Sequence, residues 1–189
     1  MSEDVFVHPQ GLCESDEVGP GTRIWAFAHV MNGAVVGENC NICGGVFIES
    51  GARVGNNVTI KNSVLLWDKV TIEDDVFLGP NVVFTNDLDP RAAFKKSPEE
   101  FLPTLVRAGA SIGANATIVC GIELGEFSFV GAGSVVTKNV PAYALFVGNP
   151  AKYAGWMCQC GARLPQSLEC TKCGRKYEQL TGSNGLKPN

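Results

Sequence analysis

The stretch NVTIKNSVLLWDKVTIEDDVFLGPNVVFTN, Asn57 to Asn86, repeats itself every six residues. Ile60, Leu66, Ile72, Leu78 and Phe84 form one apolar series. Val64, Val70, Val76 and Val82 each follow a member of that series by four positions. An α-helix repeats near 3.6 residues and an ordinary strand at 2, so a strict six fits neither alone. It fits a very short β-branched strand, then a tight turn, over and over. Two side chains of each six then point inward. Gly, Asn and Asp stand where the turn needs unusual dihedrals, as at Asn57, Asp75, Gly79 and Asn81.

The same beat runs outward in both directions. Towards the N-terminus its anchors are Val54, Ile48, Ile42, Val36, Val30, Ile24, Val18 and Leu12. Towards the C-terminus they are Val106, Ile112, Ile118, Leu124, Val130 and Val136. Small or β-branched companions follow, from Thr22, Ala28 and Ala34 to Ser128, Ser134 and Val140. This predicts an all-β parallel β-helix with three hexads per triangular coil, so that residues 18 apart stack. Between Phe84 and Val106 the beat fails, because 106 − 84 is 22, not a multiple of six. A loop at about 87–103 is therefore expected to bulge from the wall. It holds Pro90, Pro98 and Pro103 and charges at Arg91, Lys95, Lys96, Glu99 and Glu100. Long loops in compact repeats tend to carry function.

Composition narrows the classes. Net charge is −4 and charged residues are 18%, which argues against nucleic acid held by bulk charge. The opening Met-Ser-Glu-Asp has no basic region and no apolar run follows, so neither a secretory signal nor a membrane span is expected. Eight cysteines in such a chain point to a reducing, cytoplasmic setting. Four of them, Cys158, Cys160, Cys170 and Cys173, stand as CQCG and CTKCG, a spacing suited to one structural Zn²⁺ held by four thiolates. Such a site is closed, so the metal is not the catalyst. The hairpin is too short to bury a core of its own, so the metal is expected to fold it, with the helix independent of it. Cys40 and Cys43 fall on packing positions of a hexad; Cys13 and Cys120 have no partner by spacing. The expected organisation is a β-helix over 1–155, a zinc ribbon over 156–178 and a flexible tail over 179–189.

Hexads with one extruded loop resemble the left-handed β-helix acyltransferases, trimers that use acyl-coenzyme A. TRIWAFAHV, GPNVVFTNDLDPRA, TLVRAGASIGANATIVCG and VPAYALFVGNPAKYAGWM resemble the bacterial nucleotide-sugar N-acetyltransferases, over about residues 5–157. The resemblance implies the left hand, which general crossover rules alone would not suggest. It also implies acetyl-coenzyme A as co-substrate, a homotrimer and a nucleotide-linked amino sugar as acceptor in surface-polysaccharide synthesis. The relatives that fit best act on the 3-amino group of a UDP-linked 3-amino glucuronate. A dTDP-linked 3-amino-deoxysugar, or O-acetylation of a sugar, is the enzymatic alternative, and a trimeric binding scaffold the non-enzymatic one. The γ-type carbonic anhydrases share the repeat but need three zinc histidines, and this chain has only His8 and His29. One departure is Ala26, where relatives often carry His after the Trp.

Stacking by 18 makes one outward column of Asn32, Ser50, Asp68 and Asn86, and beside it Met31, Glu49, Trp67 and Thr85. The resemblance makes Asn86, in FTN, the residue that faces the acceptor amine; its amide oxygen accepts an N–H and aims the lone pair. Asp68, one coil below, is the candidate side-chain base; the favoured route gives the proton to the departing thiolate. His29 is 57 residues before Asn86, three coils or about 14 Å away, and is expected at the nucleotide end instead. Trp67 and Glu49 are candidate substrate contacts, and Arg91 a fork for a substrate carboxylate. Coenzyme A is expected beside the later coils, against Gly113, Ala114, Gly131 and Ala132, whose N–H groups also serve as oxyanion donors, with Lys138 or Lys152 on its phosphates.

Overall fold

In a computed structural model, which describes residues 4–180 and 185–189, the chain winds into a triangular solenoid of three parallel faces. Its rungs are mostly two residues long. On the second face His29, Phe47, Leu65 and Val83 stand opposite one another at steps of 18. Val83 then pairs with Thr117, a step of 117 − 83 = 34, so the loop inserts 34 − 18 = 16 residues without breaking the ladder. On the third face Val70–Ile72 pairs with Thr104–Val106 across the same insertion. Every anchor from Ile24 to Phe84 and from Val106 to Val136 is buried in one continuous core. No α-helix occurs among the described residues; a 3₁₀ turn at Pro98–Glu100 lies in the loop. Among the described residues no helix is long and apolar enough to cross a membrane.

The corners explain the glycines. A Cβ on Gly113 would lie 2.5 Å from the Ala132 nitrogen, and one on Gly79 2.6 Å from that of Ala114. At these corners the next coil rests on a bare Cα. The third turn position is left-handed instead, filled by Asn39, Asn57, Asp75, Asn81 and Asn115 at φ between 56° and 59°, or by Gly133 at 68°.

The first coil departs from the expected register. Phe6–Val7 pairs with Arg23–Ile24 and Leu12–Cys13 with His29–Val30, steps of 17. Cys13, not Leu12, thus takes the inward place, and Leu12 is 50% exposed. A slip of one residue turns a strand's side chains to the opposite face. The coils also begin earlier than the beat implies, with His8 at the first corner.

The C-terminal part is not a detached ribbon with a loose tail. Ala144–Val147 continues the first face in parallel; the chain then reverses, and Lys152–Met157 and Arg163–Leu164 add antiparallel rungs. The expected boundary at 155/156 cuts through a strand. Tyr143 of the last coil shares one buried cluster with Cys158, Leu164, Cys170, Tyr177 and Leu186. Leu186–Pro188 pairs with Tyr177–Gln179, and Leu186 is 1% exposed. A lone Leu in a polar tail has no periodic signal; burying it on Tyr143 is favourable only once the last coil exists. Residues 1–3 and 181–184 of the expected helix domain and tail lie outside the described residues.

The two glycine classes should respond differently to substitution. Gly133→Ala, with open space around its Cβ, should cost only the left-handed strain of about 1 kcal/mol. Gly113→Ala drives a methyl into backbone and should cost about 3 kcal/mol or more. Urea denaturation of both variants measures the difference; equal midpoints would refute this account of the corners.

Candidate active site and metal centre

Asn86 sits where the second face turns towards the third, at the root of the loop. Its carbonyl accepts the Leu102 N–H at 3.1 Å, which closes the loop's two ends on each other. Unlike the turn asparagines, Asn86 has no left-handed φ. Its half-buried side-chain amide bonds no protein group among the described residues. The loop itself is fastened. Lys69 Nζ donates to the carbonyls of Pro98 at 2.6 Å and Phe101 at 3.1 Å. Lys96 pairs with Asp87 at 2.5 Å and also with Asp89. The hydrogen bond from Lys96 holds the Asp87 carboxyl below the usual carboxylate range, and the two aspartates raise the Lys96 ammonium.

The neighbours of Asn86 are arranged differently from the sequence expectation. Asp68 is one rung below, but its Oδ1 lies over Gly51, 2.2 Å from where a Cβ there would stand. Its carboxylate leans to the coil beneath, away from Asn86, so the column neighbour is poorly aimed as a base. Glu49 braces the corner, its Oε2 accepting the Asp68 N–H at 2.8 Å. The Trp67 indole N–H donates to the Phe84 carbonyl at 2.8 Å, which leaves a half-buried ring surface rather than a donor. That ring continues a row through Phe47, at 5.9 Å, to His29, at 5.4 Å from Phe47. His29 Nε2 is 2.9 Å from Glu14 Oε2. The pairings step His29, Phe47, Leu65, Val83, so His29 is three rungs, about 14 Å, below Asn86. Arg91 is exposed, and its guanidinium donates to the adjacent Pro90 carbonyl at 3.2 Å and to no other group among the described residues.

The corner between first and second faces carries the residues expected to meet coenzyme A. Gly113 and Gly131 donate their N–H groups to Val130 and Phe146, each at 2.8 Å. They are rungs of the ladder, so neither can hold an oxyanion. The N–H groups of Ala114 and Ala132 donate to no backbone carbonyl among the described residues. Lys138 and Lys152 are exposed and unpaired among the described residues. Lower on this corner lies an open groove of about 620 Å³, lined by Arg23, Trp25, Ala26, Asn41, Gly44 and Asn62 among others. Sequence reasoning missed it, although Ala26 in place of a larger side chain is the local signal.

The four cysteines Cys158, Cys160, Cys170 and Cys173 come together. Their sulfurs lie within 4.8 Å of one another, with Cys158 and Cys173 at 3.5 Å and Cys160 and Cys170 at 3.6 Å. A tetrahedral Zn²⁺ with Zn–S near 2.3 Å requires S···S of about 3.8 Å, so the residues fit the ion. Around them stand groups that spacing could not reveal. The Tyr177 hydroxyl is 3.1 Å from Cys158 Sγ and accepts the Gln159 N–H at 3.1 Å. Arg175 donates to Cys173 Sγ at 3.4 Å. The Cys173 thiol pKa is lowered to about 6, first by the backbone N–H of Arg175. A donor shell of this kind offsets the charge of four thiolates.

Comparison with known proteins agrees with this architecture. The family described as bacterial transferase hexapeptide (six repeats) matches residues 17–50, and hexapeptide repeat of succinyl-transferase matches 108–138. The dTDP-3-amino-3,6-dideoxy-alpha-D-galactopyranose 3-N-acetyltransferase of Aneurinibacillus thermoaerophilus is 51% identical over 183 residues, 96% of this chain and 94% of that protein. A hexapeptide-repeat acetyltransferase of Vibrio cholerae, solved with acetyl-coenzyme A, matches at TM-score 0.58 and 28% identity, over 66% of this chain and 70% of that one. A hexapeptide transferase family protein of Anaplasma phagocytophilum shares the fold at TM-score 0.55 and 19% identity, over 82% and 80%. The chain belongs to the hexapeptide-repeat N-acetyltransferases. It is an acyltransferase, and its β-helix is left-handed.

The loop and the metal centre each yield an expectation. Asp87, with its lowered pKa, contributes loop order that is complete above the ordinary aspartate range and is lost as pH falls through the lowered value. Lys96→Met should therefore raise protease cutting within 87–103 several-fold at neutral pH, and wild type should match it only in strong acid. Protein purified without chelator should carry about one equivalent of zinc by elemental analysis. Cys170→Ser/Cys173→Ser should lose it and, through the core shared with Tyr143, lower the melting temperature of the β-helix as well.

Proposed function

We propose that this enzyme transfers the acetyl group of acetyl-coenzyme A to the 3-amino group of a dTDP-linked 3-amino-3,6-dideoxyhexose. The relative at 51% identity over nearly the whole chain is the observation that carries the acceptor. It turns the reading from a UDP-linked to a dTDP-linked sugar. The change also bears on Arg91. A 6-deoxy sugar has no carboxylate for a guanidinium fork, so Arg91 is better suited to a phosphate of the nucleotide.

The chemistry follows from the groups near Asn86. The neutral amine attacks the thioester carbonyl, the C–S bond breaks, and an amide forms. The coenzyme thiolate leaves and takes the ammonium proton, so no side-chain base is required. The lean of Asp68 towards Gly51 and the height of His29 both favour this route. Asn86 holds one amine N–H and aims the lone pair. The N–H groups of Ala114 and Ala132 are the oxyanion donors left on the coenzyme corner, and Lys138 and Lys152 meet coenzyme phosphates. The nucleotide lies towards the earlier coils, in reach of Trp67 and His29 and the groove beside Ala26.

The site is proposed to be shared in a homotrimer. The Asn86 edge and the coenzyme corner are different edges of one triangular coil, so a second subunit must bring them together. The outward row Leu12, Leu65 and Val83, exposed in one chain, gives apolar surface for that contact. The cytoplasm is the proposed compartment, because eight free cysteines suit a reducing setting.

The direct test is thiol release from acetyl-coenzyme A with a panel of dTDP- and UDP-linked 3-amino sugars and their 3-hydroxy counterparts. The dTDP amino sugar should give the largest kcat/KM; preference for a UDP uronate would reverse the acceptor reading. Asn86→Ala should lower kcat by about 10²–10³, the scale for loss of one positioned polar group, with dTDP affinity little changed. Normal turnover in that variant would remove Asn86 from the mechanism.

A further inference from the structure

We propose that the four-cysteine metal centre is the clasp of the coenzyme-binding corner, so that metal binding and coenzyme A binding strengthen each other. This rests on reading the corner at Gly131 and Ala132 as the coenzyme groove.

The connection is one of continuous backbone and sheet. Cys158, the first ligand, directly follows the strand Lys152–Met157. That strand pairs on one side with Ala144–Val147 and on the other with Arg163–Leu164, which returns from the second ligand, Cys160. The turn joining 147 to 152 runs over the coenzyme corner. Val135 donates its N–H to the Gly148 carbonyl at 3.0 Å, Ala151 donates to the Val135 carbonyl at 2.7 Å, and Gly148 donates to Ser134 Oγ at 3.1 Å. Val147 packs on the bare face of Gly131, its Cγ1 2.8 Å from where a Cβ would stand. Lys152, a candidate phosphate contact, begins the strand that ends at the metal.

A second path runs through side chains. Tyr177, bonded to Cys158 Sγ, lies with its ring centroid 5.1 Å from that of Tyr143. Tyr143 stacks on Phe127 of the preceding coil at 5.3 Å, and its hydroxyl is bonded by Gln159 at 3.0 Å. Met157 donates its N–H to the Tyr143 carbonyl at 2.8 Å. The metal thus fixes the strand from beneath and from its end. Without it the hairpin of 158–174 has too little apolar surface to stay folded, and the strand keeps only its pairing with Ala144–Val147. The nucleotide end, several rungs lower on the solenoid, touches none of these groups.

Linkage requires that coenzyme A raise the affinity for zinc by the same factor that zinc raises the affinity for coenzyme A. The experiment titrates the full-length, zinc-loaded protein with a colorimetric chelator, with saturating coenzyme A, with saturating dTDP, and with neither. We expect coenzyme A to raise the zinc affinity about tenfold or more and dTDP to change it less than twofold. Calorimetry on zinc-loaded and zinc-stripped protein should return the same factor in the dissociation constant for coenzyme A. A Gly-Gly insertion between Met157 and Cys158 should retain one equivalent of zinc while weakening coenzyme A to the stripped level. Equal zinc affinity with and without coenzyme A, or an equal effect of dTDP, overturns the clasp. Failure of the zinc-loaded protein to bind coenzyme A at all would instead overturn the groove reading, and the clasp with it.

Discussion

The constraint on which everything else depends is the contact of coil upon coil. Most rungs are two residues long, too short to be stable alone, and owe their order to the rungs above and below. Parallel strands about 4.8 Å apart leave no room at a corner for a Cβ aimed along the axis. That is why the Gly79 and Gly113 corners rest directly on the backbone of the next turn of chain. The inward side chains then need only be apolar and of the right size, which Ile, Val, Leu and Ala satisfy in turn. A solenoid built this way is stiff along its axis. It therefore keeps the heights of surface residues fixed, and chemistry can be reasoned from counting rungs.

Height is what sorts the polar residues. Asn86 and His29 lie on the same side of the solenoid but three rungs apart, too far to act on one reacting atom. Glu14 further holds His29 at the low end. On the proposed mechanism, a site centred on Asn86 is therefore poor in bases. Acetyl transfer to an amine tolerates this, because the reaction releases its own base, the thiolate. What the protein supplies is position. The loop that interrupts the repeat is closed at its root by Asn86 and Leu102, pinned by Lys69 and clasped by Lys96. It is an ordered wall beside the amide of Asn86.

The C-terminal segment shows how a solenoid end is managed. An open last coil would expose its inward side chains and an unpaired sheet edge. Here the first face is extended by two antiparallel rungs, and the four-cysteine segment lays Tyr177 and Leu186 into one cluster with Tyr143. The cap and the barrel it closes share one hydrophobic cluster, so the cap is part of the fold and not an appendage.

Much of this was legible in the residues alone. The six-residue period is a direct imprint of the coil, since each hexad must bury the same two positions; that determined the faces, the core from Ile24 to Val136 and the site of the loop. The close spacing of four cysteines likewise pointed to the cluster that the fold assembles, because thiolates that could hold one ion must lie within a few ångströms of one another. What only the tertiary structure decided were matters of direction and contact between segments with no shared period. Leu12 turned outward because the first coil is one residue short, and a single missing residue is invisible to a pattern that still shows an apolar residue at the counted place. Asp68 leaned away from Asn86 because Gly51 beneath it offers space. Gly113 and Gly131 proved to be ladder members because their N–H groups point along the axis to the next rung. Leu186 folded back because Tyr143, 43 positions earlier in the chain (186 − 143), presents a surface that no local reading contains.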